Sequence, residues 1–144
     1  MGKKETDKKG KTVCVTEDGE EQESKREKLT PNFYRDEFEC RCGCGEDSIE
    51  WRLVNTLQSV RDEYESPMKI TSGVRCPTHN SSQKVNGGQF SAHLYGFAAD
   101  IYCKDSYLRY RLLPILFKHF KRVGVYKDFF HVDIDTMKAN PVCW

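Results

Sequence analysis

Nothing in the 144 residues is apolar for long. The longest such run, Leu112-Leu113-Pro114-Ile115-Leu116-Phe117, has six residues, where a helix crossing a bilayer needs about twenty. No membrane insertion is expected. A surplus of one charge is lacking as well: 23 Lys and Arg stand against 22 Asp and Glu, a formal net charge of +1. Nucleic-acid binders usually carry a basic surplus, so no nucleic-acid partner is expected either. The opening Met-Gly-Lys-Lys-Glu-Thr-Asp-Lys-Lys has no apolar stretch behind its lysines. It therefore reads as a chain made in the cytoplasm without a signal peptide. Internal repeats are also missing, which removes solenoids and propellers.

What is there divides in two. Residues 1–28 hold sixteen charged side chains, eight of each sign, and only Met1, Val13, Cys14 and Val15 are clearly apolar. So little apolar surface does not offset the entropy of ordering a backbone. The expectation is a charged, disordered tail over 1–28 and one domain of ordinary size over 29–144. Seven cysteines are scattered along the chain, at Cys14, Cys40, Cys42, Cys44, Cys76, Cys103 and Cys143. An odd count without an export signal argues against a complete disulfide framework.

Periodicity orders the domain. Ile49, Leu53, Leu57, Val60 and Tyr64 form one helical stripe, with Asp47 and Glu50 placed like a capping box and Ser66-Pro67 as the stop. Met68–Gly73 reads as a strand entering a turn, and 74–90 as a long polar loop of the kind that carries function. Phe97–Tyr102 is a second strand. Leu108, Leu112, Ile115 and Leu116 mark a second helix, broken or kinked near Pro114. Val123–Tyr126 and Phe130–Ile134 are two strands joined by a tight turn at Lys127-Asp128. The fold class is α+β: a small, mainly antiparallel sheet, two or three helices, and a long loop beside a cleft.

Four histidines can be weighed singly. His119 sits near a helix C-terminus, where the dipole favours its charge, and reads as structural or solvent-facing. His79 lies in the polar loop, as a ligand or simply exposed. His93 ends that loop in Ser91-Ala92-His93-Leu94-Tyr95-Gly96-Phe97-Ala98-Ala99-Asp100, and a bend at Gly96 can return Asp100 to its side. His131 shares one strand face with Asp133 and Asp135, opposite Phe130, Val132 and Ile134. Two imidazoles and a carboxylate make a three-ligand site with an open fourth position, the arrangement of catalytic zinc. Spacing alone equally allows two histidines bonded locally and an Asp100 that caps a turn.

The ten residues Ser91–Asp100, followed by Gly124-Val125-Tyr126 and His131-Val132-Asp133, resemble the zinc D-Ala-D-Ala carboxypeptidase family of peptidoglycan peptidases, above all its short bacterial and phage-type members. Ile70–Arg75, Asn80 and Glu37 to Gly45 follow in the family's order, so the resemblance covers about Leu29 to Asp135. It implies His93, Asp100 and His131 as ligands of one catalytic Zn2+, in a cleft. It implies Arg75 as the holder of a substrate carboxylate, Ser91 as a further substrate contact, and Asp128 as the general base, three residues before the last histidine. Strand parity pulls against Asp128 and towards Asp133, which shares the face of His131, though a place in the turn exempts Asp128.

The implied activity is zinc-dependent hydrolysis of a D-amino-acid-containing peptide bond in peptidoglycan, as endopeptidase or carboxypeptidase. The partner is then a stem peptide or crosslink, met by a monomer after release to the cell wall, as in a phage or prophage lysis enzyme. The resemblance also extends to the hedgehog signalling domain, so the alternative is a non-catalytic zinc-containing binding or virion structural module. The cysteines fall at none of these positions. Cys40, Cys42, Cys44 and Cys76 are open to a second metal or to disulfides formed after release, but the first choice is reduced, partly buried thiols, because Cys-x-Cys is tighter than the usual Cys-x-x-Cys chelate.

Overall fold

The computed structural model describes residues 3–6, 12–15 and 21–23 as backbone, and residues 26–82 and 85–144 in full. Half of the tail expected over 1–28 lies outside the described residues. Within it β1 (Lys3–Thr6), β2 (Thr12–Val15) and β3 (Glu21–Glu23) pair as a separate antiparallel sheet.

The domain is two-layered. A small ribbon of β4 (Lys28–Thr30) and β5 (Phe33–Tyr34) leads through a 3₁₀ turn at Arg35–Phe38 to the helix α1 (Trp51–Tyr64). Strand β6 (Lys69–Ser72), the single-turn helix α2 (Pro77–Asn80), strand β7 (Ala98–Tyr102) and helix α3 (Ser106–His119) follow. Strands β8 (Arg122–Val125), β9 (Phe129–Asp133) and β10 (Val142–Cys143) end the chain. The main sheet has the order β10-β8-β9-β7-β6. Every pairing is antiparallel except the short β10 on β8. Among the described residues no helix is long and apolar enough to cross a membrane.

Alternation decides which sheet face is core. Ile101, Phe130, Val132 and Val123 point to the helices and are fully buried with Leu53, Leu57, Val60, Leu112 and Leu116. Removing each such Leu or Phe from water is worth about 1.5–3 kcal/mol. Their neighbours in sequence, Asp100, His131 and Asp133, turn to the other face, and that face carries the site.

Two element boundaries differ from the sequence expectation. Helix α1 starts at Trp51 rather than beside Asp47, because the residues before it are recruited by another segment. Glu50 N–H donates to Gly96 C=O at 3.0 Å, and Ile49 N–H turns back to Asp47 C=O at 2.8 Å. Helix α3 runs unbroken through Pro114. The carbonyl that loses its partner to the proline belongs to Tyr110, four residues earlier on the exposed face. His119, as expected, is structural: its Nε2 pairs with Glu63 at 2.8 Å.

Gly96 is where the fold meets the site. It closes the 3₁₀ turn Ala92–Tyr95 at φ +72°, and any Cβ there would run into Ser48 C=O. Left-handed backbone and overlap act together. Gly96→Ala is expected to destabilise the domain by about 2–4 kcal/mol. Chemical denaturation measures this, and an unchanged midpoint would show that the turn rebuilds without strain.

Candidate metal centre

Three elements deliver three side chains to one point. The Ser91 hydroxyl caps the 3₁₀ turn by accepting from His93 N–H at 3.3 Å. The turn drives the imidazole inward until only 2% of it is exposed. There Nδ1 donates to Gly73 C=O at 2.7 Å, and Nε2 faces Asp100 Oδ1. Gly73 can sit so close because it lacks a side chain: a Cβ would lie 2.6 Å from the Phe38 Cα. Strand β7 supplies Asp100, and β9 supplies His131 directly opposite it in the register.

The donor atoms converge. Asp100 Oδ1 lies 3.3 Å from His93 Nε2 and 3.1 Å from His131 Nδ1. Nitrogen and oxygen ligands at about 2.0–2.1 Å on a tetrahedral zinc stand roughly 3.3–3.4 Å apart, so the spacing fits that ion. Each donor is also oriented from behind, as metal ligands generally are. Gly73 holds His93. Asp133 Oδ2 accepts from His131 Nε2 at 2.7 Å. Arg75 Nη2 donates to the outer oxygen of Asp100 at 3.1 Å while its Nε binds Ser72 Oγ.

Asp133 is thereby a positioning residue rather than a free base. Its other oxygen accepts from Arg122 Nε at 2.8 Å and from Asp135 N–H at 3.2 Å, so both oxygens are engaged. Asp128 stands apart from the cluster. It precedes β9 in the turn, its carbonyl accepts from Cys103 N–H at 2.9 Å, and its Oδ1 is buried without a hydrogen-bond partner.

The triad opens into a cleft of about 370 Å³. Arg75 and Ser91 line it beside the ligands, and Val85 to Gly88 form one wall. Asn80, which is buried, pins that wall by donating to Gly88 C=O at 2.9 Å. Tyr126, Phe129 and Trp144 line the cleft as well. The Trp144 Nε1–H donates to the Tyr126 hydroxyl at 2.8 Å, and its ring centroid is 5.3 Å from that of His131. Asp128 is not among the lining residues. Sequence reasoning gave no role to Asn80, Tyr126 or Trp144. Asn80 and Tyr126 carried a signal as parts of the family resemblance, and Trp144 carried none.

Electrostatics match the geometry. Burial pushes the Asp100 carboxyl up, but the hydrogen bonds from His131 and His93 outweigh it and hold the pKa well below the ordinary value. Burial lowers the pKa of His131, and the hydrogen bonds to Asp100 and Asp133 more than reverse this, so it ends raised. Without metal, His131 thus keeps its second proton to higher pH, and a metal must displace that proton. Zinc affinity is expected to weaken about tenfold per pH unit below the raised His131 pKa. Asp100, already ionised, adds no proton to this dependence. Calorimetric titrations at several pH values check it, and an affinity flat between pH 5 and 7 contradicts it.

Two oriented imidazoles and one carboxylate, open on the side of a cleft, are a candidate metal-binding group of the kind hydrolytic zinc sites use. The comparison with known families agrees: a model described as Peptidase M15 matches residues 31–135. The chain belongs to this family, the zinc D-Ala-D-Ala carboxypeptidase-like peptidases. At the level of the family it is a zinc peptidase of the peptidoglycan-acting kind. No curated protein matches the chain.

Proposed function

We propose that the chain hydrolyses a D-amino-acid-containing peptide bond in peptidoglycan, as a lysis-type endopeptidase or carboxypeptidase. The observation that carries this is the meeting of His93 Nε2, Asp100 Oδ1 and His131 Nδ1 at the floor of a cleft lined by Arg75. A zinc ion held by these three supplies a bound water whose pKa falls to about 7 and a Lewis acid for the scissile carbonyl.

The protein's own groups do the rest. Two of the Arg75 N–H groups are spent on Ser72 and Asp100. Those that remain present a planar donor edge suited to a carboxylate of the stem peptide. Ser91 Oγ accepts from His93 N–H and keeps its own O–H to donate to substrate. The hydrogen-bonded Tyr126–Trp144 pair, which lines the cleft, bounds the peptide. Asp128 takes the proton from the attacking water. Its buried, unpartnered Oδ1 supports the role, which requires the Tyr126–Asp128 turn to bring that oxygen to the cleft.

Mass spectrometry of purified cell walls after digestion tests the activity. New termini at a bond flanked by a D-residue, suppressed by chelator, are expected; unchanged muropeptides would refute it. For the base, Asp128→Asn is expected to lower kcat by about 10²–10⁴-fold with KM and zinc content unchanged. Wild-type turnover in this variant would remove Asp128 from the mechanism.

A further inference from the structure

The densest cluster of ligand-type side chains outside the cleft is sulfur. Cys40, Cys42 and Cys44 meet Cys76, and the four Sγ atoms all lie within 4.8 Å of one another. In an extended strand, alternate side chains share a face but stand about 6.6–6.8 Å apart. Here the chain is coiled instead. Cys40 N–H closes the loop on Glu46 C=O at 2.7 Å, Gly43 N–H returns to Cys40 C=O, and Gly43 and Gly45 adopt φ of +84° and +87°. Cys76 arrives from the start of α2, with its N–H donating to Cys40 Sγ at 3.4 Å, and its own Sγ accepts from His79 N–H at 3.4 Å.

The distances discriminate between the fates of four thiols. Cys40 and Cys42 are 3.4 Å apart and Cys42 and Cys76 are 3.6 Å apart, against about 2.05 Å in a disulfide. Thiolates at about 2.3 Å on a tetrahedral ion stand roughly 3.8 Å apart. A polynuclear iron–sulfur core would hold its cysteines farther out. Hydrophobic packing does not explain the gathering either, because Cys42 and Cys44 are exposed. Backbone N–H groups aimed at sulfur, as at Cys40 and Cys76, are the usual support of a metal-bound thiolate.

We infer that Cys40, Cys42, Cys44 and Cys76 form a closed structural zinc site, separate from the cleft and independent of the activity proposed for it. The tight Cys-x-Cys spacing argued against this, but the coiled loop brings the sulfurs together, and the fourth ligand comes from 32 residues beyond Cys44. The site has a mechanical consequence. Arg75 lies between Val74, whose N–H is bound to Phe38 C=O at 2.9 Å, and Cys76. The metal would therefore tie both flanks of Arg75 to the segment 38–44.

Elemental analysis of the full chain, purified from zinc-supplemented cells, tests the inference. Two zinc ions per chain are expected. One should be lost in Cys42→Ser/Cys44→Ser, and the other in His93→Ala/His131→Ala. Replacement by cobalt should give a thiolate-to-cobalt charge-transfer band that the histidine variant keeps and the cysteine variant loses. Should the cysteine variant not fold, titration of the wild type with an organomercurial gives the same answer by releasing one zinc as the four thiols react. A zinc count untouched by the cysteine substitutions would overturn the site. So would cluster thiols that stay reactive in zinc-loaded native protein, or a mass short by the hydrogens of a disulfide. Failure of the histidine pair alone to change the count bears on the cleft and leaves the cysteine site standing.

Discussion

His131→Ala is expected to abolish hydrolysis, by at least about 10³-fold in kcat/KM, and to empty the cleft of its metal while the domain stays folded. The first half follows from ligand number: only His93 and Asp100 would remain of three donors that meet within 4.8 Å. The second half follows from how the carboxylates are shared. Asp100 keeps Arg75 at 3.1 Å and Asp133 keeps Arg122 at 2.8 Å, so deleting the imidazole strands neither negative charge. The core on the other sheet face is untouched, since Phe130 and Val132 point away from the site. Metal content, cell-wall hydrolysis and a melting curve on the same preparation check the claim. Turnover above a few per cent of wild type would mean that the site is not the reaction centre.

The same residues mark where sequence reasoning reached and where it stopped. Parity placed His131 and Asp133 on one face of a strand and Phe130 and Val132 on the other, and the structure keeps that division. The bend at Gly96 was legible because a glycine between a polar turn and an apolar strand has few other uses, and it does return Asp100 to within 3.3 Å of His93. Register was not legible. That Asp100 faces His131, and Gly124 lies on the other side of it, depends on which strands pair and in what order. The start of α1 was misplaced for a related reason: Gly96, some 46 residues later in sequence, takes the Glu50 amide that a local cap would have used. That Cys76 joins Cys40, Cys42 and Cys44 depends on topology in the same way. Local chemistry is written along the chain, whereas the partners that complete it are set by topology.

Asp133 separates orientation from ligation, and two substitutions there should act in opposite order on two observables. Its side chain is 1% exposed, with one oxygen on Arg122 and Asp135 N–H and the other on His131 Nε2. Because a carboxylate only accepts, it forces the proton onto Nε2 and leaves Nδ1 free for the metal. Asparagine has the same shape but one acceptor. If its oxygen serves Arg122, its amide donates to Nε2, and the proton moves to Nδ1, the atom that must ligate. Asp133→Asn is therefore expected to weaken zinc binding by about 10–100-fold with a moderate loss of stability. Asp133→Ala imposes no tautomer, so its zinc affinity should fall less. It removes every partner of that carboxylate, however, and leaves Arg122 short of its counter-ion. Its stability should drop further, by about 2–4 kcal/mol, less than for a wholly buried pair because Arg122 is 12% exposed. Competition with a chromogenic chelator ranks the affinities, and denaturant midpoints of the metal-free proteins rank the stabilities. If asparagine binds zinc as tightly as alanine does, or more tightly, then Asp133 does not set the tautomer of His131 and only anchors β9 to β8 through Arg122.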